Sequence, residues 1–431
     1  FLTHAHRCGT HVEETILNPY LTLIRFLLCR NQACHSKGEK TTMANTILET
    51  IDRQLHKALF SSPVFIPGQW NDEQICITHA FAGARYSSIR KLQEVKGPAS
   101  RRYYIFAFKA PSEEVMEISE EDKKRGGIER RHIPDYSGFV ETIISSLSAL
   151  FGKQMDFHGL IESSGLFYQP MLDNADYISD VEMGPYNDSA RADLEIIPNW
   201  TNIAPIAALY CSDDLRLRNT FSAAARLYRR ALASYHHDPE NSYIDLVVVL
   251  EIIAEYYTDK NSTTIPDVEI YDSQLIKLFA SLPDSDVRLL KKRLYQVWRK
   301  FSYTIKSLVS DVFFSKTEQG SASWQSITRE NFSTLIRSVY ELRSLHMHTG
   351  MPFGHIVIAQ SDFNSELSCA YIEDEEIRRK CSGVLTFKGL ERVARFCLLR
   401  LLHLNGIYVH PDLDEGKNAT VVTESASKGE T

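Results

Sequence analysis

The chain reads as an α+β N-terminal domain followed by an all-α helical bundle, and three observations predict that order. Up to about residue 205, short runs rich in Ile, Val, Phe and Tyr are bounded by Gly and Pro, as strands between turns are. From Asp213 onward, apolar residues recur at helical spacing over long segments opened by Asp and Pro. The composition is that of a globular chain, 43% hydrophobic and 24% charged over 431 residues, with room for two or three domains.

In order along the chain, residues 1–42 precede the first Met, Met43, and read as an upstream extension or disordered fragment outside the folded unit. Their apolar run Tyr20 to Cys29 contains Arg25 and is too short to span a bilayer, and Glu13 and Glu14 before it are unlike a signal peptide. Periodicity predicts a helix over Ala44 to Leu59, then strands over Ser62 to Pro67, Gln74 to Phe81 and Arg102 to Ala110. Ser112 to Asp135 is dense in charge, contains Gly126-Gly127 and reads as a solvated loop. A helix follows over Tyr136 to Phe151, and Asp156 to Pro198 reads as loops with short elements. Residues 43–205 are thus expected to form an α+β domain whose role the sequence does not name.

Residues 206–410 form the expected bundle. Asp213-Asp214 opens a helix to about Ser234, with Leu215, Phe221, Ala225, Tyr228 and Leu232 inward and Arg216, Arg218, Arg226, Arg229 and Arg230 largely outward. Asp238-Pro239-Glu240 supplies an N-cap acid, Pro at the first helical position and an acid at the positive end. The helix it opens, Ser242 to Tyr257, is apolar nearly all round and should be central, with Glu251 inside the run. Further helices are expected over Ser273–Ser281, Asp284–Val309, Asn331–His348 and Phe387–Leu404. Residues 411–431 lack aromatics and read as a disordered tail.

Eight cysteines without a CxxC pair suit reduced thiols in a cytoplasmic protein and give neither a zinc knuckle nor a disulfide framework. A net charge of −7 excludes indiscriminate coating of nucleic acid while leaving room for a local basic cleft. No cofactor and no membrane partner is implied.

The chemistry concentrates in Arg-Ser-Leu-His-Met-His-Thr-Gly, residues 343–350. Phe332, Leu335, Ile336, Val339 and Leu342 make one buried stripe, and Arg343 stands on its edge where another Leu is expected. A permanent charge there must have a partner or line a cleft. Thr349, Gly350 and Pro352 stop the helix, so His348 occupies its last turn, where the helix dipole favours the imidazolium. Metal-independent RNA cleavage needs such a pair. A His moves the proton of the ribose 2′-OH, and an Arg fork holds the phosphate as charge builds. Positions five apart on a helix are about 140° apart, so Arg343 and His348 converge only if His348 lies on a fraying end. Other readings stand beside this one. Arg343 is also placed for a structural ion pair with Glu251, and His348 for a C-terminal cap. His346, His348 and His355 as a metal set lack a neighbouring acid or Cys, and His346 and His348 point to different sides. The arginines of 216–230 form either a solvated face or a track for an RNA backbone beside the cleft. Tyr103, Tyr104 and Trp298 are expected in the core rather than as platforms on which bases stack.

The helix ending Leu-Arg-Ser-Leu-His-Met-His-Thr-Gly resembles the RxxxxH helix of the HEPN superfamily, and the order of parts is similar to its Apea-like branch. The matching pieces are Asp238 to Glu251, with its Leu250-Glu251 pair, and Tyr340 to Gly350, so the likeness covers roughly residues 213–405. Two departures stand out: Ser344 where many ribonucleolytic members have Asn, Asp or His, and Thr349 between His348 and the Gly. The resemblance implies an endoribonuclease active in anti-phage defence or stress. It further implies a homodimer with a composite cleft, Arg343 and His348 as catalytic residues, Ser344 on phosphate or ribose and Glu251 as an orienting acid. It also leaves a non-catalytic nucleotide- or RNA-binding module, or a regulatory scaffold with a structural Arg–His pair, as alternatives.

Overall fold

The computed structural model describes residues 55–71, 75–79, 102–110, 114–115, 131–132, 135–164, 166–168, 194–262, 265–293, 296–317, 325–358, 365–381 and 383–414. The expected extension at 1–42, most of the helix expected from Ala44 and nearly all of the charged loop lie outside these residues. The chain divides into two compact units, Phe1–Arg191 with Ile196–His237, and Ala192–Glu195 with Asp238–Thr431.

The first unit is built on a six-stranded antiparallel sheet. Its members are β1 (Leu55–Ser62), β2 (Trp70–Asn71), β3 (Ile75–His79) and β4 (Arg102–Lys109). After a separate two-residue ladder of β5 (Glu114–Val115) and β6 (Arg131–His132) comes helix α1 (Ser137–Phe151), then β7 (Asp156–Ser163) and β8 (Leu166–Phe167). The strand order is β2-β3-β4-β1-β7-β8, with β1 running from Leu55 opposite Lys109 to Ser62 opposite Arg102. Phe108 meets Phe139 of α1 at 5.3 Å between ring centroids, and Phe60, Tyr104 and Phe151 surround Trp200. Trp200 opens a 3-10 turn (Trp200–Asn202) capped by Asn199. Helices α2 (Ala204–Cys211) and α3 (Leu215–Ser234) follow. Both pack on α1, where Tyr210 bonds Ser146 at 2.9 Å and Arg229 pairs with Glu141.

Several expectations change here. Where the helix expected up to Leu59 enters the described residues, from Leu55, the chain is strand; Leu55 to Ser62 is buried on both faces and so shows no alternation to separate it from a buried helix. Of the strand expected over Ser62 to Pro67 only Ser62 lies in the ladder; Pro63 and Pro67 carry no N–H to extend it. Strand β7 was hidden by its polar text, yet its polar groups are matched across the sheet. Glu162 meets Lys57 at 2.6 Å, His158 Nε2 lies 2.8 Å from Ser61 Oγ, and Ser163 Oγ lies 2.7 Å from His56 Nδ1. On α3, Leu215 is exposed and Arg218 is buried, donating to the Tyr210 carbonyl over 3.2 Å, so the arginine face is not wholly outward. Because α3 belongs to the first unit, the division falls between His237 and Asp238 and not near residue 205.

The second unit is helical. Helix α4 (Pro239–Lys260) is capped by Asp238, whose carboxylate accepts from Asn241 N–H over 3.1 Å. Short helices α5 (Asp267–Ile270), α6 (Ser273–Ala280) and α7 (Asp284–Arg293) close a satellite core of Ile270, Tyr271 and Phe279. Then come α8 (Val297–Leu308), α9 (Asp311–Ser315), α10 (Arg329–Thr349), α11 (Gly354–Val357), α12 (Glu375–Lys380) and α13 (Phe387–Leu404). As its all-round apolar text predicts, α4 is central and packs against α8, α10, α11 and α13. The single helix expected over 284–309 is instead two, with Gln296 at φ 41 opening the second. The tail is ordered to Asp414: Leu413 is buried, Asp412 pairs with Lys316 at 2.5 Å and Asp414 with His403 at 2.7 Å. The rest of the expected disordered tail lies outside the described residues.

Candidate functional site

Helix α10 starts with a reciprocal cap. Thr328 Oγ1 accepts from Asn331 N–H over 3.4 Å, and Thr328 N–H donates to Asn331 Oδ1 over 2.8 Å. Its buried face is Phe332, Leu335, Ile336, Val339, Leu342 and Leu345. It ends on Gly350 at φ 69, whose N–H returns to the His346 carbonyl over 2.8 Å. A left-handed residue at that place is cheap only for Gly.

Arg343 is half-buried at the junction with α4, its side chain 26% exposed. Its Nη2 donates to Glu251 Oε2 at 3.5 Å, the outer limit of a hydrogen bond, and its Nε is shielded from solvent without a hydrogen-bond partner among the described residues. Burial pushes the Glu251 carboxyl above its ordinary value, and the Arg343 charge offsets this only in part. Ser344 is half-buried beside them, and His348 is exposed. Because α10 stays helical through Thr349, no fraying swings His348 round; Arg343 and His348 face different sides and are not brought together within one chain.

The histidine that is engaged is His346. Its Nδ1 lies 2.8 Å from the Met351 carbonyl oxygen, which needs the Nδ1–H tautomer, and its ring meets Phe353 edge-on at 5.1 Å. From the first turn of α4, Glu240 Oε1 accepts from Phe353 N–H and Gly354 N–H over 2.8 and 2.7 Å. Sequence reasoning read Glu240 only as a first-turn acid of its own helix; its hold on a distant loop leaves no local signal. Trp298 on α8 is also unlike its expectation. Tyr103 and Tyr104 are core, but Trp298 is half-buried beside Tyr340 of α10, at 5.2 Å between ring centroids.

Among the described residues no group of three or more His, Cys, Asp or Glu is placed to hold a metal ion, and no helix is long and apolar enough to cross a membrane. Comparison of the chain with family models, with curated proteins and with solved structures gives no match.

Proposed function

We propose that the helical unit is a metal-independent endoribonuclease of the HEPN type, acting as a homodimer in anti-phage defence or a stress response. The observation that carries this reading is one helix bearing two unspent groups. Arg343 has a long pair and a donor left over, and His348 is solvent-facing about 140° away. A site using both must draw them from two copies of α10, which a two-fold axis supplies from one surface patch. In that cleft His348 takes the proton of the ribose 2′-OH, and the 2′-oxygen attacks phosphorus as the bond to the 5′-oxygen breaks. The same His348, now protonated, gives its proton to the leaving 5′-oxygen. Arg343 holds the phosphate oxygens, Ser344 hydrogen-bonds phosphate or ribose, and Glu251 orients the guanidinium. The products are a 2′,3′-cyclic phosphate and a 5′-hydroxyl.

The test is cleavage of labelled RNA in EDTA. His348→Ala is expected to abolish it while changing stability by less than about 1 kcal/mol, since the side chain is exposed. Arg343→Lys is expected to abolish it too, because a point charge does not reproduce the fork. Mixing His348→Ala with Arg343→Ala chains should recover part of the activity through one intact composite site. Undiminished cleavage by His348→Ala overturns the assignment, and activity lost to EDTA in the parent chain points to a metal instead. A second reading is favoured by the Arg343–Glu251 pair itself: a regulatory scaffold whose Arg–His pair is structural, in which Arg343→Ala lowers stability and neither variant nor parent binds or cuts RNA.

A further inference from the structure

Helices α8 and α10 of the second unit pack together beside Arg343, and the groups they present are of two chemical kinds. From α8 come Trp298 and Phe301, and from α10 come Tyr340 and, one turn on, Arg343. Tyr340 lies 5.2 Å from Trp298 and 5.6 Å from Phe301, but the three differ in depth: Phe301 is fully buried, whereas Trp298 and Tyr340 are half-buried. Phe301 is therefore the floor, and two half-buried aromatic rings lie on it, tilted 44° to each other. Positions 340 and 343 share a helix face, so these rings lie on the side of the guanidinium. Electrostatics agree, since Tyr340 is within the field of both Glu251 and Arg343.

We infer that Trp298 and Tyr340 form a shelf on which an unpaired nucleobase of RNA stacks while Arg343 engages its phosphate. This rests on the RNA-cleaving reading above and adds to it a substrate class: single-stranded segments, loops and bulges, with paired bases excluded. A base inside a duplex has both faces covered by its neighbours and offers nothing to an aromatic ring. An unpaired base does, and its gain per ring is sequence-tolerant because every base has a π-face. The same arrangement accounts for the spare hydrogen-bonding capacity of Arg343. A buried donor without a partner costs stability, and a phosphate drawn to the guanidinium gives it a charge-assisted role.

The experiment measures binding in a His348→Ala background, so that nothing is cut. Fluorescein-labelled unstructured RNA and a blunt duplex of the same length serve as probes. Trp298→Ala should weaken the unstructured RNA about tenfold, the scale of one lost stacking contact, and leave the duplex unchanged. Trp298→Phe, which keeps an aromatic face and the packing on Phe301, should retain most of the affinity. Independently, titration with adenosine monophosphate should quench the parent's tryptophan fluorescence, and that quench should be missing in Trp298→Phe. Equal affinity of Trp298→Ala and its parent, or an unchanged quench in Trp298→Phe, overturns the shelf. The two proposals fail separately. Trp298-dependent binding without any cleavage defeats the nuclease reading alone, and His348-dependent cleavage with an unaltered KM in Trp298→Ala defeats the shelf alone.

Discussion

The acid at position 251 shows how an incomplete pair differs from a sealed one. Its side chain is 19% exposed and its bond to Arg343 spans 3.5 Å, so the pair is neither a surface contact nor a closed interior clamp. The carboxyl is raised above its ordinary value of 4.5, mainly by burial. The sign follows from proton binding: between the unfolded and folded values the folded chain holds the proton more often. Stability from this group is thus full below about pH 4.5 and is lost as pH rises through the higher folded value. Glu251→Gln removes that dependence. In urea titrations from acid to neutral pH, the variant should gain on the wild type as pH rises, while RNA cleavage falls because Arg343 loses its guide. A constant difference across that range would mean the carboxyl titrates normally. The pairing of Arg343 with Glu251 and the exposed place of His348 in the last turn were legible from helical spacing and the Gly350 stop. The half-burial of Trp298 was not, because the exposure of one ring is decided by how helices meet.

At the scale of elements, α13 shows the most demanding join in the second unit. Arg392 and Glu366 are both fully buried and paired, and Arg392 also donates to the carbonyls of Phe313 and Lys316, lying 3.8 Å over the Phe313 ring. Glu366 Oε2 in turn accepts from Ile327 N–H over 2.7 Å, just ahead of α10. Arg392→Ala strands a buried carboxylate and should cost about 3–5 kcal/mol in urea unfolding. Gly389, one turn into α13, has ordinary helical backbone; its need is space, because an added Cβ would run into the Glu366 carbonyl. Gly389→Ala should therefore lower stability by about 1–3 kcal/mol, where the helix propensity of Ala alone would raise it. An unchanged midpoint for Gly389→Ala would refute the close approach. The sequence pattern located α13 to the residue, since its apolar stripe and Thr386 cap agree. It misread β1, whose burial on both faces erases the period, and it joined α7 to α8 across Gln296, where nothing in the side-chain pattern announces a break.

For the molecule as a whole, a net charge of −7 means the long-range field opposes RNA, so the proposed RNA affinity has to come from local contacts. With one Arg343 per copy, binding should fall with salt on a shallow slope of about −1 to −2 on logarithmic axes, as expected for roughly two engaged phosphates. A slope steeper than about −4 would instead require more cations, and the exposed Arg216, Arg226 and Arg230 of α3 would be the first to replace. The order of an α+β part and a helical part was readable from the change of period near Asp213. The division after His237 was not, because α3 has the same amphipathic text whether its apolar stripe meets a bundle or the helix of a sheet-based unit.

Helix α4 touches the neighbourhood of α10 twice on one face, through Glu240 to the loop beyond Gly350 and through Glu251 to Arg343. The two acids are about 16 Å apart along the axis, at 1.5 Å per residue. A rod held at one point swings; held at two, it keeps its heading, and His348 stands between the two holds. Such a mount tolerates exchange of the side chains between its anchors far better than a change in their number. One residue inserted between Glu240 and Glu251 turns one anchor about 100° away from the other. Lineages carrying this chain should accordingly hold the length of that span fixed, and substitute its buried residues only for others of like size.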